Sequence, residues 1–164
     1  MRAREKRFRA EAARKVDLAA LKVRDTRMLK NRKQIQIEWG DCDPAGIVYY
    51  PRFFEMFDSC TNALFEKAGF KKQEMLAKYG LAGIPMVETS ARFFVPSAFG
   101  DVVTVESTIL EWGKSSFRVE HKLYRGDVLG AEGLEKRVWT VRDKQNPRKL
   151  KSEKIPEEVK NRFN

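Results

Sequence analysis

The chain is poor in cysteine and almost without histidine. Cys42 and Cys60 are its only thiols, and His121 is its only imidazole. Two cysteines do not make a disulfide framework, so a reducing, cytoplasmic setting is expected. Two thiols without histidine partners cannot build a structural zinc site. A single histidine excludes a histidine cluster and leaves one candidate base for a Ser-His or Cys-His pair. No run of 18 apolar residues occurs, so no membrane-spanning helix is expected. The N-terminus lacks the apolar core of a signal peptide. Glycine-rich phosphate loops of the two common types are missing, as is any internal repeat.

What remains is 164 residues, 42% apolar and 34% charged, enough for one soluble domain with a real core. The net charge of +10 is unevenly spread. Residues 1–33 hold 13 Lys/Arg against 4 Asp/Glu, a net of +9. Residues 34–164 hold 20 against 19, a net of +1. The domain is nearly neutral, and its basicity lives in a tail.

That tail, residues 1–30, is a basic extension rich in Arg, Lys, Ala and Glu, free of Gly and Pro. Its composition suits a charged helix or a disordered segment. A nucleic-acid or anionic-surface role would need aromatic interleaving or a known motif, and neither occurs. Its acidic residues make it a poor targeting peptide. A start at Met28 is the plainest alternative.

From residue 31 to 164 the pattern is that of one α+β domain. Lys33–Trp39 alternates as a strand. A helix is expected from Pro51, at a favoured first position, to Gly69 as its stop. A short helix over Lys71–Lys78 follows, closed by Gly80. Four strands are expected near Ile84–Phe94, Val102–Trp112, Ser116–Arg125 and Val128–Asp143. Turns at Phe99-Gly100-Asp101, Gly113-Lys114-Ser115 and Gly126-Asp127 imply consecutive antiparallel pairing. Pro147 should end the sheet region, and residues 156–163 should add a final helical turn or two.

The densest stretch is Glu38-Trp-Gly-Asp-Cys-Asp-Pro-Ala-Gly-Ile-Val-Tyr-Tyr-Pro51. It puts carboxylates in a turn just before the apolar helix. Backbone N–H groups and the dipole at such a helix start can hold a developing negative charge. Asp41 reads as a turn or capping residue. Cys42, between two carboxylates, is a poor thiolate. His121 lies in the apolar phase of its strand and reads as a satisfied core histidine.

This stretch resembles the signature of the 4-hydroxybenzoyl-CoA thioesterase family. So do Gly83-x-Pro85, Phe99-Gly-Asp101, Glu111-Trp112 and Ser116-Phe117. The likeness covers about residues 34–156 and departs at Tyr50, where relatives more often carry His. It implies a hot-dog fold, an antiparallel sheet wrapped around a long central helix. It also implies an acyl-CoA thioesterase with coenzyme A as part of the substrate, no metal or redox cofactor, and a homodimer or homotetramer with sites at subunit interfaces. Asp43 matches the catalytic carboxylate, as nucleophile or general base. The Tyr50 N–H matches the polariser of the thioester carbonyl. Asp58 matches a residue that binds an aromatic hydroxyl; a salt bridge or exposed position is its plainer alternative. Gln73 and Ile84 match acyl-pocket positions that carry Trp and Thr in the family enzyme, so the acyl group is open. Lys114, Ser116, Lys149 and Lys151 match coenzyme A contacts, with Arg142 and Arg148 as possible supplements. The alternative implied class is an acyl-CoA-binding module without turnover.

Overall fold

A computed structural model describes residues 28–164. The basic extension therefore lies outside the described residues, apart from its last three. Of these, Leu29 donates its N–H to the Phe163 carbonyl at 2.7 Å. Met28 and Leu29 both pack on the core.

Strand β1 covers Lys30–Gln36, three residues earlier than the alternation suggests. It ends where Glu38 and Asp41 form a reciprocal capping box on a short 3-10 turn, Trp39–Asp41. Ile37 is buried, but Trp39 leaves the strand and stands 75% exposed.

Helix α1 spans Tyr50–Lys67, with Pro51 in its first turn. Phe53, Met56, Phe57, Cys60, Thr61, Leu64 and Phe65 are buried along it, the spacing of one helical face. Helix α2 is Lys72–Tyr79, stopped by Gly80 in the left-handed conformation. The strand expected at Ile84–Phe94 begins only after Pro85, which has no N–H for a ladder, and a short strand not expected from the sequence precedes it. These are β2 at Leu81–Gly83 and β3 at Met86–Phe93. Strands β4, Val102–Trp112, and β5, Ser116–Arg125, fall where the period predicts them. The last long run splits. β6 is Val128–Val138 and β7 is Thr140–Arg142, with buried Trp139 between them. β8, Leu150–Ser152, lies beyond Pro147 and pairs with β7, so that proline does not end the sheets. A short helix α3, Glu157–Asn161, closes the chain.

The main sheet runs β1-β4-β5-β6-β3, and β2-β7-β8 form a second, small sheet. All pairings are antiparallel. One expected hairpin is absent. The segment through Phe99-Gly100-Asp101 carries the chain from one edge strand, β3, to β4 on the far side of β5 and β6. The inner face of β5 alternates without a break through Phe117, Val119, His121 and Leu123, all buried. These side chains meet α1 in two contiguous cores, one around Phe57 and Cys60, the other around Leu64, Phe65, Trp139 and Phe163. The sheet thus curls about the helix in the hot-dog arrangement.

Candidate active site

The Asp43 turn is assembled from its own residues outward. Asp43 Oδ1 accepts the Ala45 N–H at 2.8 Å. Its carbonyl accepts the Gly46 N–H at 2.9 Å. Pro44 supplies a fixed φ, and Gly46 takes φ +78°, which a side chain would strain. Cys42 bridges Val48, and Ile47 bridges Ala98. Val48 also donates to the Ser97 carbonyl at 2.8 Å. The crossover that replaces the hairpin therefore forms the bed on which the turn rests. Asp101 pins that bed, accepting the Ala98 N–H at 2.9 Å and pairing with Arg125 at 3.0 Å. The Ala98 hydrogen bond, then Arg125, hold its carboxyl below the usual carboxylate range.

The turn delivers the chain directly into α1. Asp41 acts as a cap: its Oδ2 accepts the Glu38 N–H, and its carbonyl accepts the Tyr49 N–H. Among the described residues, no side chain caps α1 at Tyr49. The Tyr50 N–H stands at the first helical position, at the positive end of the helix dipole. Asp43 is half-buried, and Tyr50 is exposed.

The other expected site residues fall in two further places. Asp58 is in an ion pair: its Oδ1 accepts Arg137 Nη2 at 2.6 Å. Arg137 Nη1 also reaches the Ile84 carbonyl at 3.4 Å. Arg137 thereby joins two of the expected acyl-pocket positions. The Ile84 side chain itself is buried among Leu64, Phe65 and Trp139. Gln73 is exposed on α2. Arg137 escaped the sequence reading because it looks like an outward strand charge. Its only signal was the Glu135-x-Arg137 spacing, which puts both on one strand face.

Lys114 and Ser116 flank the β4–β5 turn, and Lys149 and Lys151 lie at β8. The structure brings these segments to one end of the sheet. Ile155 donates to the Lys114 carbonyl at 2.9 Å, and Trp139 donates to the Ser115 carbonyl at 2.8 Å. Lys151 pairs with Val141 in β7. The three lysines are exposed. This end is not the Asp43 end. Ile37 bonds to Asp101 at the start of β4, whereas Lys114 lies two residues past its last. Eleven residues of β4 separate them, roughly 35 Å of strand.

The remaining reactive groups are structural. Burial pushes the Cys60 thiol up to about 11. His121 is fully buried, stacked on Phe57 with ring centroids 4.8 Å apart. Among the described residues, no group of three or more His, Cys, Asp or Glu is placed to hold a metal ion. No described helix is long and apolar enough to cross a membrane.

Residues 37–163 match the model of the thioesterase-like superfamily, and the chain belongs to that family. It is a thioesterase. Among its relatives is 4-hydroxybenzoyl-CoA thioesterase of Pseudomonas sp. (strain CBS-3), 35% identical over 71% of this chain and 87% of the relative. A 1,4-dihydroxy-2-naphthoyl-CoA hydrolase of Synechococcus elongatus is 25% identical over 53% of this chain and 64% of its own. Among solved structures, a 4-hydroxybenzoyl CoA thioesterase mutant complexed with 4-hydroxybenzoyl CoA superposes with a TM-score of 0.76. That structure is 30% identical and is covered to 99%, against 83% of this chain. A gentisyl-coenzyme A thioesterase gives a TM-score of 0.70 at 30% identity, covering 82% of this chain and all of that one.

Proposed function

We propose that the protein hydrolyses a hydroxylated aromatic acyl-CoA to the free acid and coenzyme A. The observation that carries this reading is the Asp43 carboxylate on a rigid turn that ends at the uncapped start of α1. A thioester carbonyl between them would meet a carboxylate on one side and the Tyr50 N–H on the other. The named activities of the relatives above support a hydroxylated aromatic acid as the acyl part.

Asp43 acts in one of two ways, each with the same oxyanion. As nucleophile, its carboxylate oxygen adds to the carbonyl carbon, and the C–S bond breaks to release the thiolate. Water then cleaves the resulting mixed anhydride. As general base, Asp43 takes a proton from water as the water oxygen adds, and the tetrahedral intermediate expels the thiolate. In both, the Tyr50 N–H donates to the oxyanion, a contact worth about 3 kcal/mol. Neither route calls for a metal or redox group, because carboxylate, N–H and water supply every step.

The coenzyme A end is read as bound by Lys114, Ser116, Lys149 and Lys151, with cations for its phosphates. These lie at the opposite end of the sheet from Asp43, so one chain alone does not complete the site. Strand β3 is an edge, and Met86, Val87, Phe93 and Phe94 are exposed on or beside it. A twofold axis pairing β3 with a second copy covers that edge. It sets the Phe93 end of one strand beside the partner's Met86 end. Phe93 packs on Phe53 in the first turn of α1, while Met86 is in register with Arg137, near the Lys114 end. Asp43 of one chain would then face the partner subunit's Lys114 and Lys151. A homodimer is the smallest assembly with complete sites, and a tetramer is a pair of these.

Thiol release from a panel of CoA thioesters tests the reading: hydroxybenzoyl, dihydroxybenzoyl, benzoyl, phenylacetyl and short to medium acyl. The expected result is turnover concentrated on the hydroxylated aromatic members. A folded, oligomeric protein that binds these thioesters but cleaves none would be the acyl-CoA-binding module instead.

A further inference from the structure

The ion pair at Asp58 is the outer end of a longer buried chain. Arg137 is 6% exposed at its side chain and shares its donors among three partners. Nη2 goes to Asp58 Oδ1 at 2.6 Å, Nη1 to the Ile84 carbonyl at 3.4 Å and Nε to Glu135 Oε2 at 2.8 Å. Glu135 is fully buried behind it. The same Oε2 accepts the Thr61 hydroxyl at 2.9 Å and lies 3.4 Å from His121 Nε2. Ser107 Oγ stands 2.8 Å from His121 Nδ1. Glu135 and Ser107 thus stand against the two ring nitrogens of His121.

A buried ion pair is a poor stabilising device, since desolvation offsets much of the attraction. This one does have a geometric result. Two carboxylates and one guanidinium leave a net charge of −1, and the only outward member is Asp58, whose side chain is 49% exposed. Its Oδ1 is taken by Arg137. Its Oδ2 has a contact of 3.4 Å to Asn62 Nδ2. The chain of partners therefore presents one oriented carboxylate oxygen beside the β3 edge.

We propose that Arg137 is a positioning residue that fixes Asp58 toward the acyl group and sets the preference for substrates bearing a hydroxyl there. This rests on the thioesterase reading above. A free aspartate would rotate and hydrate, and would accept from water as readily as from substrate. A carboxylate held by Arg137 in turn held by Glu135 keeps one direction, so a hydroxyl donor replaces water at little ordering cost. An acyl group without that donor leaves the desolvated carboxylate unpaired. An acyl group carrying a carboxylate meets the net negative cluster.

The test compares kcat/KM for 4-hydroxybenzoyl-CoA and benzoyl-CoA in wild type, Asp58→Asn, Arg137→Lys and the double variant. Lysine keeps a cation but cannot span three partners. The ratio of the two constants is the readout, because general damage to the fold lowers both substrates in proportion. The ratio should fall about tenfold or more in each single variant, the loss expected for a charged hydrogen bond. The double variant should fall no further, since both changes remove one contact. If Arg137→Lys does not fold, Glu135→Gln replaces it, loosening Arg137 from behind with the same expected fall. A ratio within about twofold of wild type in the folded variant, or fully additive losses, overturns the positioning role and leaves the thioesterase reading standing. Wild type that cleaves neither thioester overturns both.

Discussion

Two single residues carry more than their identity suggests. Glu135 is drawn two ways: burial pushes its carboxyl up, while hydrogen bonds from His121 and Arg137 pull it down to about 2. The folded value lies below the ordinary value near 4.5. Its contribution to stability is therefore complete above pH 4.5 and is lost as pH falls through that value toward 2. Urea melts of wild type should lose stability across that window, and Glu135→Gln should flatten the loss. At pH 7 the same change should cost about 3 kcal/mol, because it removes the buried one of the two carboxylates that balance Arg137. Gly133 is the second. A Cβ there would sit 2.4 Å from the Phe57 ring, which is itself pinned by stacking on His121. Gly133→Ala should cost about 1–3 kcal/mol in the same melts. The turn at Asp43 and the helix start beside Pro51 were legible because turn chemistry and helix starts are local. Arg137 was not, since a charge on an alternating strand announces neither its burial nor its partner 79 residues away.

At the scale of elements, α1 was readable from its apolar residues between Pro51 and Gly69, and β4 and β5 from strand-like runs between turns. The crossover was not. Phe99-Gly100-Asp101 has hairpin chemistry, and nothing local says that its strands lie three places apart. Strand β4 pairs with β1 and β5 rather than with β3, as the sheet closes around α1. Trp139 broke a run that periodicity joined, because a switch of sheet is a pairing fact, and the three-residue β2 was too short to show a period. The start of α1 yields the sharpest prediction at this scale. Proline is tolerated at the first helical position, so Tyr50→Pro should keep the helix while deleting the N–H. With a folded protein by circular dichroism, kcat should fall about 100-fold or more while KM changes little. A fall confined to KM would assign that N–H to binding alone.

At the scale of the whole molecule, the distance between Asp43 and the lysine end is decisive. On the proposed reading the site is split across roughly 35 Å of strand and would need a second copy with its ends reversed. Val87→Asp combined with Phe93→Asp should put charge on the exposed edge and yield a monomer in sedimentation. That monomer should lose turnover although Asp43 is untouched; a fully active monomer would place the whole site in one chain. Lys114→Ala with Lys151→Ala should raise KM for the thioester, and less so at high salt, where phosphate attraction is already screened. The domain itself is nearly neutral, so this attraction is local rather than global.

The most direct measurement is turnover and binding by Asp43→Asn on the thioester that wild type cleaves best. Asparagine keeps the shape and can still accept the Ala45 N–H, but it neither attacks nor takes a proton. The account predicts kcat lower by at least about 100-fold with the thioester still bound. Turnover within a few-fold of wild type would contradict it and send the search to another carboxylate.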